Sequence, residues 1–230
     1  MRNENVKVII WGLGSMGKGM AELLLTKKGV DIVGAVARGE KIGKNMYEFL
    51  GLEKGNRKDV IMGSYEDVIT EKAADVVLIC TDSFTKDVFD KCKFVLEKKI
   101  NIVTTAEEMS YPQAQEPELA KELDKIAKEN GVTVLGTGIN PGLIMDLLVI
   151  TLTGACYDVD HIVAKRVNNL SPFGPAVMRE QGVGLTVEDF NNKNESGELA
   201  GHVGFAESVN MITDALGWKL SDEVKLSKSP

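Results

Sequence analysis

Histidine and cysteine are scarce in this chain of 230 residues, which holds two of the first and three of the second. Cys80, Cys92 and Cys156 lie far apart, without the paired spacing of a zinc site or a redox motif. No metal site is therefore expected. Cys80 closes the apolar run DVVLIC and Cys92 takes an apolar place in a helical pattern, so both read as buried reduced thiols. No apolar run approaches the roughly 20 residues needed to span a bilayer, and the N-terminal MRNENVKV has no apolar signal core. The expected setting is cytoplasmic, with no membrane partner. Basic residues are outnumbered, 27 Lys and Arg against 34 Asp and Glu, for a net charge of −7. That balance argues against nucleic acid as a partner, because a phosphate backbone is held by clustered positive charge.

What is present is 43% hydrophobic and 27% charged residues, in a length that buries a core without disulfide staples. The first half alternates two periods. Short continuous apolar runs at 6–11, 31–37, 75–81, 101–106 and 132–136, with a weaker one at 60–62, read as strands buried on both faces. Helical patterns separate them. Met16, Met20, Leu23, Leu24 and Lys27 follow one helical face, stopped by Gly29; Ser64 is an N-cap; Val88, Cys92, Val95 and Leu96 mark another face. Pro117 opens a helix carrying Leu119, Leu123, Ile126 and Ala127, ended by Asn130-Gly131. This alternation predicts an α/β fold, a Rossmann-type doubly wound parallel sheet over residues 1–140.

Beyond residue 140 the pattern changes. PGLIMDLLVITLTGA (141–155) is apolar nearly all round and predicts a buried helix, inside which Asp146 needs a partner. VDHIVAKRV alternates like a strand, which makes His161 structural, and AESVNMITDALGW has helical spacing at Val209, Ile212, Thr213 and Leu216. A smaller α+β domain over 141–230 is expected, too short for a closed core of its own. Either the chain lacks a C-terminal portion, or another subunit completes the partial sheet in a homo-oligomer, a dimer or a tetramer.

The run VIIWGLGSMGKGM (8–20) carries three glycines in the spacing G-x-G-x-x-G, with a strand before them and a helix after. In that context Gly12 permits the tight turn, Gly14 leaves room for a pyrophosphate, and Gly17 lets the helix pack on the strand. The helix N-terminus, at Ser15 and Met16, offers free N–H groups to the anion. A tight turn without a ligand is the alternative. NAD selection usually needs a carboxylate about 20 residues on, at the end of the second strand. Ala37 and Arg38 stand there instead. A guanidinium suits a 2′-phosphate, which favours NADP; NAD stays open, since Arg38 can simply solvate the strand end.

Three segments together, NIVTTAEEMSYP (101–112), GTGINPGLIMDLL (136–148) and AGHVGFAESVNMITDALGW (200–218), resemble the 2,4-diaminopentanoate dehydrogenase family along essentially the whole chain. The family is similar in architecture to dihydrodipicolinate reductase, and its members extend further at the C-terminus. The resemblance implies ornithine degradation: a nicotinamide accepts hydride from C4 of 2,4-diaminopentanoate, and the imine is hydrolysed to 2-amino-4-oxopentanoate and ammonia. Thr81, Thr104 and Thr105 then fall at strand ends, toward the nicotinamide half, unless they only cap those strands. Glu107, ahead of Glu108, becomes the candidate to bind the substrate ammonium or to activate water, against the alternative of a solvated loop carboxylate. Asn140 resembles an asparagine that dihydrodipicolinate reductases carry near the nicotinamide; its alternative is a helix cap before Pro141. His202 is the candidate acid–base or substrate contact, against a satisfied polar side chain. Arg166 and Arg179 are equal candidates for the substrate carboxylate. Two other functions remain open: an imine reductase or other amino-acid dehydrogenase of the same architecture, and a non-catalytic NAD(P)-binding regulatory protein.

Overall fold

The computed structural model describes residues 4–171, 174–199 and 201–230, with the side chains of 174, 176 and 177 also left aside. Pro172 and Phe173 of the polar loop, and Ala200 at the start of the 200–218 segment, lie outside the described residues. The chain divides into two compact units, Met1–Gly138 and Ile139–Pro230.

In the first unit the apolar runs become β1 (Val6–Trp11), β2 (Val30–Val36), β3 (Met62–Gly63), β4 (Val76–Ile79), β5 (Asn101–Thr104) and β6 (Val134–Gly136). They form one parallel sheet in the order β3-β2-β1-β4-β5-β6. Side chains along β1 alternate between two cores: Val8 and Ile10 enter one, Ile9 the other. Helices α4 (Thr85–Glu97) and α5 (Pro117–Asn130) cover the Ile9 side with Val88, Cys92, Val95, Leu96, Leu123 and Ile126. Helices α1 (Ser15–Leu25) and α2 (Met46–Leu50) cover the other with Ala21, Met46, Tyr47 and Leu50. Each fully buried aliphatic chain contributes roughly 1.5–3 kcal/mol over leaving it exposed, so a sheet apolar on both faces requires both layers. A short α3 (Tyr65–Val68) follows β3, and Ser64 caps it by accepting from Asp67 N at 3.3 Å.

Trp11, Val36, Ile79, Thr104 and Gly136 are paired in one row across the sheet. The chain therefore leaves all five strands along the same edge, and the order reverses between β1 and β4. Open α/β sheets bind ligands at such an edge, outside the strands' carboxyl ends.

The spacing along α1 matched the packed face only in part: Leu24 does pack against the core. Met16 and Leu23 are exposed, and the buried residues are Gly17 and Ala21. The fully buried residues are small ones, and Leu24 and Leu25 are partly buried against the same core.

The second unit contains α6 (Leu147–Thr153), α7 (Gly174–Glu180), α8 (Val187–Glu195) and α9 (Phe205–Ala215). The long buried helix expected at 141–155 shrinks to α6, on which Leu147, Leu148 and Leu152 are exposed. Asp146 is its N-cap rather than an interior residue, and its carboxylate takes Leu147 N and Gly142 N out of any helical ladder. The alternating run at 159–167 forms no strand, because no described segment pairs with it; His161 within it is exposed rather than packed. Alternation makes a strand only where a ladder partner exists.

Candidate active site

The glycine loop leaves β1 at the switch point. Gly12 has φ +103, and a methyl group there would meet Thr81 Cγ2 at 2.6 Å and the Cys80 carbonyl at 2.8 Å. At Gly17 a methyl group would collide with the Gly12 carbonyl, so the helix and the turn touch backbone to backbone. Gly14 differs: it caps α1 in extended conformation, and nothing lies within 4 Å of where its Cβ would be. The first intrahelical bond runs from Lys18 N to Gly14 O at 2.9 Å. The N–H groups of Ser15, Met16 and Gly17 precede it, with no side-chain cap and no acidic residue in the first turn. Open space above Gly14, free N–H groups and the positive end of a helix dipole can together take a pyrophosphate.

The other candidates of this unit leave the same sheet edge. Arg38 is exposed just after β2 and engages none of the described hydrogen bonds. Its charge reaches Asp82, at the turn after β4. Burial raises the Asp82 pKa, but the Lys91 ammonium bonded to it, with Arg38 adding, holds the carboxyl below its ordinary value. Burial pushes the thiol of the half-buried Cys80 up to about 11 and that of Cys92 up to about 12, so both stay protonated at neutral pH.

The three threonines differ. Thr81 and Thr105 are half-buried at the edge, whereas Thr104 is fully buried and its hydroxyl accepts from Ala106 N at 3.2 Å. Thr104 thus caps its own strand. The two glutamates also separate. Glu108 is buried and accepts from Thr85 N at 2.8 Å and Gln115 Nε2 at 3.3 Å, fastening the start of α4 to the turn after β5. Glu107 is half-buried, and none of the described hydrogen bonds or ion pairs uses its carboxylate.

In the second unit Asn140 and His202 come together: Asn140 Nδ2 is 2.8 Å from His202 Nε2. The Phe205 ring stands edge-on to the imidazole, with centroids 5.0 Å apart and planes at 72°. Burial, assisted by the Arg166 charge, lowers the His202 pKa below its ordinary value. The ring is therefore neutral at pH 7. Arg166, not Arg179, is the arginine whose field reaches it. Neither the contact between Asn140 and His202 nor the Phe205 ring was foreseen from the sequence. A contact across 62 positions leaves no trace in local periodicity. Among the described residues no cluster of His, Cys, Asp and Glu could hold a metal ion, and no helix is long and apolar enough to cross a membrane.

Residues 6–137 match the family model described as dihydrodipicolinate reductase, N-terminus. The chain belongs to that family. Residues 143–230 match a second model, the 2,4-diaminopentanoate dehydrogenase C-terminal domain. The 2,4-diaminopentanoate dehydrogenase of Acetoanaerobium sticklandii is 66% identical over 227 residues, which cover 99% of this chain and 64% of that protein. Among solved structures, the amine dehydrogenase from Mycobacterium smegmatis superposes with a TM-score of 0.76 at 28% identity, covering 96% of this chain and 64% of that one. The chain thus spans about 64% of the length of both relatives. Its kinship with dihydrodipicolinate reductases accounts for the first unit, and the C-terminal match separates it from them in the second.

Proposed function

We propose that this chain carries out the NAD(P)-dependent oxidative deamination of 2,4-diaminopentanoate to 2-amino-4-oxopentanoate and ammonia. The observation that carries the reading is the 66% identity, over 99% of the chain, to a protein of that name; the glycine-loop geometry adds physical support. The balance is the protonated amine, NAD(P)⁺ and water in, and ketone, ammonium, NAD(P)H and a proton out.

A bound nicotinamide cofactor supplies the hydride acceptor. In this reading Gly12, Gly14 and Gly17 shape the pyrophosphate cradle, with the N–H groups of Ser15, Met16 and Gly17 as donors. Arg38 pairs with a 2′-phosphate, which makes NADP the favoured cofactor and NAD the alternative. Thr81 and Thr105 are assigned to the nicotinamide side, Thr105 through its hydroxyl and Thr81 with its hydroxyl oxygen buried, while Thr104 serves through strand geometry alone. Glu107 either holds the substrate ammonium or takes a proton from the water that attacks the imine. His202, neutral at working pH, is the second acid–base group. Arg166, whose charge reaches His202, is the preferred candidate of the two arginines for the substrate carboxylate. A homo-oligomer, dimer or tetramer, belongs to the same reading, and the exposed Leu143, Leu147, Leu148 and Leu152 supply an apolar face for it. So does a cytoplasmic setting, supported by free thiols at Cys80 and Cys92.

A different amine as substrate is the second reading, favoured by the likeness to the Mycobacterium smegmatis amine dehydrogenase. Steady-state formation of NADPH and NADH by the purified chain, with 2,4-diaminopentanoate and a panel of simple amines, separates them. Turnover of the diamino acid alone supports the first reading; turnover of simple amines alone replaces it with the second. Cofactor binding without turnover of any amine would contradict both.

A further inference from the structure

The contact between Asn140 and His202 is fastened on two sides. Gly204, two residues after His202, has φ +107, and a methyl group there would lie 2.5 Å from Pro141 Cδ and Cγ. Only glycine allows the His202 segment to approach Pro141 so closely. On the other side stands Asp146, fully buried. Its Oδ2 accepts from Gly142 N and from Ser208 Oγ, both at 2.8 Å, and its Oδ1 accepts from Leu147 N at 2.7 Å. One carboxylate oxygen thereby ties the Asn140–Pro141–Gly142 turn to α9, which begins three residues after His202. A buried charge so well supplied with donors is fixed in place.

Building on the function proposed above, we infer that Asn140 is a positioning residue for His202: its amide occupies Nε2, leaving Nδ1 as the nitrogen that exchanges the proton, while Asp146 and Gly204 hold the pair together. A neutral imidazole has one donor and one acceptor nitrogen. No other hydrogen bond to this ring exists among the described residues. An amide suits the position because it offers a donor and an acceptor on one plane. With its N–H toward Nε2 it selects the tautomer protonated at Nδ1; turned over, its oxygen accepts from Nε2–H and frees Nδ1 as a base. Asn140 therefore decides which nitrogen works without deciding its charge. An aspartate in its place would take only the second arrangement and would favour the imidazolium.

The test is ¹⁵N NMR of the full chain labelled at its two histidines, where exposed His161 serves as the internal reference. In the wild type, His202 should show a hydrogen-bonded Nε2 and a tautomer balance different from that of His161. Asn140→Ala should collapse that difference, and Asn140→Asp should move the His202 titration about one pH unit upward. Ser208→Ala, which removes one bond to Asp146, should move the His202 signals part of the way. NADPH affinity should stay within about twofold in all three, while turnover falls in Asn140→Ala. His202 signals unchanged in Asn140→Ala would overturn the inference. So would a tenfold or greater loss of NADPH affinity with His202 undisturbed, which would put Asn140 on the cofactor. If Asn140→Ala does not fold, Asn140→Asp decides the question by the same titration. The spectra need no turnover, so a wild-type chain inactive on every amine would count against the proposed function and leave this test intact.

Discussion

Gly14→Val separates the ligand role of the glycine loop from its folding role. Gly14 has φ −83 and ψ −162, extended backbone open to any residue, and empty space where a side chain would go. The fold should accept valine there at a cost within about 1 kcal/mol, mostly the weaker N-cap. For a unit of this size that is a melting shift of a few degrees, about 2–4 °C. A bound pyrophosphate, however, must bring its oxygens within hydrogen-bond distance of the backbone at the position the isopropyl group would fill. Losing two charge-assisted bonds costs about 3–6 kcal/mol, or roughly 10²–10⁴-fold in Kd. Gly17→Ala is the control in the opposite sense. Its methyl group collides with the Gly12 carbonyl, so the cost exceeds the roughly 1–3 kcal/mol of ordinary overpacking and falls on stability first. Fluorescence titration with NADPH and NADH, alongside thermal melts of each variant, gives both quantities. A folded Gly14→Val chain with wild-type affinity would refute the reasoning, and so would a Gly14→Val chain as unstable as Gly17→Ala.

Arg38→Ala should weaken NADP⁺ by the loss of one charged contact, about 1.5–3 kcal/mol or roughly 10–150-fold, and leave NAD⁺ unchanged; equal losses would make Arg38 structural. Glu107→Gln should lower kcat by roughly 10²–10⁴-fold at unchanged stability and NADPH affinity. Glu108→Gln should instead lower the urea midpoint by the equivalent of about 1–3 kcal/mol, because Thr85 N loses its charged acceptor. The lowered His202 pKa fixes a sign as well. As pH falls below about 6.5, the unfolded chain takes up a proton that the folded ring resists, so stability drops on acidification and is unaffected by this group above that value. Urea melts should show a larger loss between about pH 8 and pH 5 in the wild type than in His202→Gln.

The strand–loop–helix at 6–25 was legible because everything that specifies it is local: a continuous apolar run, three glycines at fixed spacing, and a helical period. Which side of α1 packs was legible only in part: Leu24 lies against the core, but Gly17 and Ala21 carry almost no hydrophobic signal and are buried through closeness, not apolarity. At Asp146 the sequence announced a need for partners, but Ser208, 62 positions away, could be found only in the folded chain. Glu107 and Glu108 looked alike as neighbours, yet the turn after β5 aims one at Thr85 N and leaves the other uncommitted. The alternation at 159–167 misled because period two describes a strand's faces and says nothing of whether a neighbour pairs with it.

Isotope transfer tests the central claim most directly. 2,4-Diaminopentanoate deuterated at C4 would be incubated with the purified chain and NADP⁺, and the reduced cofactor and the ammonia analysed by mass spectrometry and enzymatic assay. The account predicts deuterium on the reduced nicotinamide, with ammonia released in equal amount, and loss of both in Gly14→Val. A chain that binds NADPH tightly but leaves the deuterium in the amine would contradict it.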